Sequence, residues 1–109
     1  MTNWFYFLLA LMAGVGASVQ LGVNSQLRQA VVNPTVSALI SFSVGTLLLL
    51  VYVFTTSRQA MPSVELLRGL SWWKWMGGVL GAIYVTTAII AAPRIGAANF
   101  VSLVVAGQL

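Results

Sequence analysis

Gln20, Asn24 and Arg28 follow one another at intervals of four residues. That interval places them on one face of a helix. Ser18 and Ser25 fall on neighbouring strips of the same stretch, "GASVQLGVNSQLRQA" (16–30). These are amides, hydroxyls and one guanidinium. Their chemistry is hydrogen bonding and anion contact rather than nucleophilic attack. The stretch follows an almost wholly apolar run, Phe5–Val15, and no Pro interrupts the chain before Pro34. Amides and hydroxyls in hydrocarbon are costly unless hydrogen-bonded, so they must face protein or a water-filled cavity. Two readings stay open: the wall of a solute cavity, or hydrogen bonding between helices.

A second stretch, "APRIGAAN" (92–99), has backbone rather than side-chain character. Pro93 removes a backbone donor, and Gly96 permits a sharp turn. Discontinuous helices carry the binding sites of many transporters. Near the end of an apolar run, the simpler expectation is a short loop with Arg94 as a positive topology marker. Gln108 lies deep in the last apolar run and needs a partner if that run crosses a membrane.

The rest of the inventory excludes several chemistries. The chain has no Cys and no His, and Glu65 is its only acid. Thiol catalysis, histidine relays, paired carboxylates and Cys/His or carboxylate-rich metal sites are therefore not available from it. No Walker A loop, dinucleotide fingerprint or nucleophile elbow is present. The reading is a non-enzyme without metal or cofactor. The net charge of +4 comes from Arg28, Arg58, Arg68, Lys74 and Arg94, scattered singly between apolar runs. Such scatter marks membrane topology rather than a nucleic-acid surface.

The elements that position these residues follow from hydropathy. The chain of 109 residues is 60% hydrophobic and 6% charged, with a mean hydropathy of +0.97. A soluble domain has about a quarter of its residues charged. The expected class is an all-α, polytopic transmembrane bundle in the lipid bilayer, one domain over residues 1–109. Its apolar segments run over about 4–31, 34–56, 72–92 and 97–109. The basic-free start "MTNW" argues for a retained first helix rather than a signal peptide. Asn33 and Pro34 form an N-terminal signal for the second span. The connection 57–71 holds Pro62 and Glu65, and Ser63 can cap a short interfacial helix there. A crossing helix needs about 20 residues. The fourth run is shorter, which predicts a truncated chain or a missing partner segment.

Small residues recur at spacing four: Gly14, Ser18 and Gly22; Ser37, Ser41 and Gly45; Gly77 and Gly81; Ala98, Ser102 and Ala106. Each set forms one helix face that permits close backbone approach in lipid. Trp4, Trp72, Trp73 and Trp75 mark span ends at the headgroup boundary. With a rise of about 1.5 Å per residue from Trp4, Gln20 lies inside a hydrocarbon core about 30 Å thick. Asn24 reaches its far margin. Arg28 falls among the headgroups, where a long cationic side chain snorkels outward. Three basic residues on the side of the 57–74 connection against two on the other favour a cytoplasmic N-terminus. A bias of that size is also compatible with insertion in both orientations.

The stretches "GVGASVQLGVNSQLR" (14–28), "NPTVSALISFSVGTLLLL" (33–50) and "AAPRIGAANFVSLVVAGQL" (91–109) together resemble the YdcZ family of the drug/metabolite transporter superfamily. The resemblance implies a small all-helical protein of the bacterial inner membrane. It also implies transport of small molecules by a dimer or a paired half-transporter. Members continue past "GQL" through acidic and His residues into a further helix. The family supplies no catalytic set, so Gln20, Asn24, Arg28, Pro93, Arg94 and Gln108 match only as candidate positions. Small multidrug resistance transporters are also short four-span proteins, but they use an acid in the first span. None stands in this one. The expectation is half of a secondary transporter. A homodimer, antiparallel in one arrangement, would line a cavity with Gln20, Asn24, Ser18 and Gln108 for a neutral or anionic small molecule. The rival is a non-transporting membrane scaffold or assembly subunit.

Overall fold

The computed structural model describes Thr2–Leu109, and Thr2 by its backbone alone. Helix α1 spans Thr2–Val31, α2 Pro34–Thr56, α3 Val64–Arg68, α4 Met76–Ile95 and α5 Ala97–Gln108. Short 3-10 turns at Arg58–Ala60 and Trp72–Trp75 complete the connection between α2 and α4. No strand occurs among the described residues. The stretches Asn3–Val31, Pro34–Thr56 and Trp72–Ile95 are long and apolar enough to cross a membrane. The twelve residues of α5 rise only about 18 Å.

Local signals explain the boundaries. The Asn33 side chain accepts hydrogen bonds from the backbone N–H of Thr35 and Val36, at 2.8 and 3.2 Å. These are donors that the first turn of α2 would otherwise leave unpaired. Ser63 caps α3 by accepting from the Leu66 N–H at 3.1 Å. The α1–α2 turn needs only Val32 and Asn33, and Val32 adopts φ 71°. A β-branched residue in that region is strained. Helices α4 and α5 meet at Gly96 alone, with φ 92° and ψ 143°. Only glycine adopts that conformation readily.

One expected boundary moves. Hydropathy closes the third span at Ala92, with Pro93 as its breaker. In the structure α4 runs through Pro93 to Ile95, so no loop separates it from α5. Proline interrupts a helix by removing the bond to the carbonyl four residues back. In the last turn of α4 that disturbance is confined to one carbonyl, that of Ile89.

Packing is uneven along the helices. Helix α4 touches α1, α2 and α5, and α1 also touches α2. The buried residues are Asn24 on α1, Ser37 and Ala38 on α2, Val85, Ala88, Ile89 and Ala92 on α4, and Phe100 on α5. Ala38, Val85 and Ile89 form one apolar cluster. Ala88, Ala92 and Phe100 form another, flanked by Leu21, Ala91 and Val104. Most of these lie toward the end where α1 turns into α2 and α4 into α5. Residues 3–20 of α1 are exposed throughout, and so is most of α2 beyond Thr46. The helices therefore pack at one end of the bundle and leave the tryptophan end open.

Candidate functional site

Asn24 sits at the centre of the packed end. It is seven residues from the end of α1, hence about 10 Å below the α1–α2 turn. The residue is 5% exposed. The Ser41 hydroxyl donates to Asn24 Oδ1, and the Ser37 hydroxyl donates to the Asn24 backbone carbonyl at 3.2 Å. Ser37 is fully buried, at 0% exposure. Ser37 and Ser41 stand four apart, so both face α1. Their small side chains let the helices approach, and their hydroxyls satisfy the polar atoms that the approach buries.

Gln20, one turn away, is treated differently. It is exposed, and among the described residues no group hydrogen-bonds its side chain. It lines a gap of about 270 Å³ against α2, with Ser41, Phe42, Gly45, Thr46 and Leu49. It also lines a cavity of about 30 Å³ against α4, with Asn24, Tyr84 and Ala88 among its walls. The smaller space suits a single water, the larger a small solute.

Arg28 does not point away from the bundle as snorkelling predicts. It is half-buried, and its Nη1 donates to the Ile89 carbonyl of α4 at 3.4 Å. Ile89 is the residue four before Pro93, so its carbonyl is the one that Pro93 leaves without a helical donor. The guanidinium takes the place of the missing N–H. An open-sided cavity of about 250 Å³ lies beside it, lined by Ser25, Arg28, Gln29, Val32 and Pro93. The link was half legible in the sequence. Pro93 announces a free carbonyl at Ile89, but only the fold shows which donor reaches it.

The remaining candidates are dispersed. Ser18 and Ser102 both line an opening of about 390 Å³ between α1 and α5. Arg94 is exposed in the last turn of α4 and does not line the Arg28 cavity. Gln108 is exposed at the far end of α5, apart from Gln20. Of the packing candidates, Ser37 and Ser41 join helices within the chain, and Gly81 faces Phe42, whose ring lies 3.8 Å from a Cβ placed there. A Cβ added at Gly14, Gly22, Gly45 or Gly77 meets nothing within 4 Å. Sequence reasoning passed over Asn99. Its amide donates to the Ile95 carbonyl at 2.8 Å and ties off the end of α4 across the Gly96 turn.

Three apolar helices of crossing length, a shorter fourth and hydrogen-bonded polar groups within them define a polytopic α-helical membrane protein. Comparison with known proteins sharpens this. The family described as "Putative inner membrane exporter, YdcZ" matches residues 5–109. Inner membrane protein YdcZ of Escherichia coli (strain K12) is 30% identical over 104 residues, 94% of this chain and 67% of that protein. The chain belongs to the YdcZ family. No solved structure matches it.

Proposed function

We propose that the chain is a subunit of a small-molecule secondary transporter of the inner membrane, working as a dimer. The observation that carries this reading is Gln20. An uncharged amide at membrane depth faces open gaps on two sides, while Asn24 one turn away is tied into the helix contact. An amide in hydrocarbon needs a partner, and a solute or water in the gap supplies one. The family description adds export as the direction.

The open end supports the dimer. A Cβ added at Gly14, Gly45 or Gly77 would meet nothing within 4 Å, which leaves room for a second helix to come close. A second copy, parallel or antiparallel, would close the Gln20 gap into a cavity. With no acid in the spans, the cavity suits neutral or anionic solutes. The charge bias favours a cytoplasmic N-terminus. The same glycine faces would equally serve a scaffold or assembly subunit that transports nothing.

Reconstitution in liposomes with a metabolite panel tests the reading. Flux that falls at least about tenfold in Gln20→Leu, with helicity and oligomeric state retained, supports a solute-binding amide. Absence of flux for every solute in a broad panel favours the scaffold. The chain has no native Cys, so single cysteines at Gly14 and Gly45 report on the dimer by cross-linking, and Thr2→Cys labelling reports on orientation.

A further inference from the structure

We infer that the cavity beside Arg28 is an oxyanion-binding site, for a carboxylate or a phosphate group, held in shape by Pro93. The inference is separate from the transport reading, because binding is measured without flux. Arg28 is anchored and not spent. One of its five N–H donors goes to the Ile89 carbonyl, and the others remain for a ligand. Guanidinium donors form a rigid fork that matches two oxygens of a carboxylate or phosphate. The open-sided cavity of about 250 Å³ is lined by Arg28, Ser25 and Gln29, whose guanidinium, hydroxyl and amide are all groups able to donate to an anion.

The charge has no competitor nearby. The only acidic side chain is Glu65, beyond the far end of α2, whose 23 residues separate it by about 35 Å. A half-buried guanidinium without a carboxylate partner attracts an anion from its surroundings, and its partial burial strengthens the pairing. Pro93 lies in the cavity wall and also creates the anchor. Because it cannot bond the Ile89 carbonyl, that oxygen is free to hold Arg28 against α4. The pairing thus fixes a cation that would otherwise snorkel into the headgroups.

The protein contains Arg28, Arg58, Arg68 and Arg94 as its arginines, so their guanidinium Nε–H signals are separable by NMR after ¹⁵N-arginine labelling. Two probes, propionate and inorganic phosphate, are titrated into the full chain in phosphatidylcholine nanodiscs. A second arm raises the phosphatidylglycerol content with no added probe. A saturable shift of the Arg28 signal alone, in the first arm, establishes a soluble oxyanion as ligand. Saturation in the phosphatidylglycerol arm only establishes a lipid phosphate as the ligand of the same site. Isothermal titration calorimetry with the same two probes reads the variants, and Arg28→Gln is expected to weaken saturable binding at least about tenfold. Pro93→Ala restores the helical N–H and releases Arg28. It is expected to weaken binding severalfold although every charge is kept. Arg28 shifts that stay linear and equal to those of Arg58, Arg68 and Arg94 in both arms overturn the proposal. So does unchanged affinity in Arg28→Gln.

Discussion

The two ends of this bundle solve the membrane problem in different ways. At the turn end, the connectors are Val32–Asn33 and Gly96, and polar groups are drawn inward and paired: Asn24 with Ser41 and Ser37, Arg28 with Ile89. At the tryptophan end, α1 and α2 are exposed, glycine faces stand open, and Trp72, Trp73 and Trp75 are exposed at the start of α4. Lys74 lies over the Trp73 ring there, 5.5 Å from its centroid. Short connectors force neighbouring helices together at one end. The long connection 57–75 imposes no such closeness at the other. Stability should therefore be concentrated at the turn end, and assembly or solute contact at the open one.

The severest test is Gly96→Val. It forces a β-branched residue into φ 92° and should cost about 3 kcal/mol, read by reversible SDS unfolding in mixed micelles. A cost near zero would show that the α4–α5 turn does not constrain the packed end. Asn24→Ala strips Ser41 of its acceptor in the helix contact and should cost about 1–2 kcal/mol in the same assay. Val32→Gly should move the opposite way. Relief of the strained φ 71° is expected to stabilise the chain by up to about 1 kcal/mol. The smallest effect on unfolding belongs to the open end. Gly14→Leu and Gly45→Leu should change the unfolding free energy by less than about 0.5 kcal/mol, since an added Cβ meets no neighbour within 4 Å at either position. Gly14→Leu should nevertheless abolish cross-linking between copies through a cysteine at Gly45, and Gly45→Leu cross-linking through a cysteine at Gly14. Gly81→Leu meets Phe42 and should affect stability and assembly together.

Much of the fold could be read from the chain. Hydropathy over a mostly uncharged sequence leaves helices as the structure that satisfies its own backbone in lipid. Asn33–Pro34 and Ser63 announce the starts of α2 and α3 through side chains acting within a few residues. The site was less legible. Gln20, Asn24 and Arg28 form one stripe in sequence, yet each meets a different neighbour: an open gap, a pair of serines, and a carbonyl freed by proline. Depth alone sent Arg28 outward, because length along a helix says nothing about what stands opposite.

The sequence by itself determined the class: apolar segments of crossing length, a basic charge scatter, no thiol or imidazole, and a polar stripe of helical period. These are properties of composition and of local backbone chemistry, which need no partner. Tertiary structure decided which polar groups are consumed in packing and which remain available. That depends on distances between residues far apart in the chain, such as Asn24 to Ser41 and Arg28 to Ile89. A helix can carry a hydrogen-bonding group at a predictable height, but its partner is set by the neighbour that packs against it.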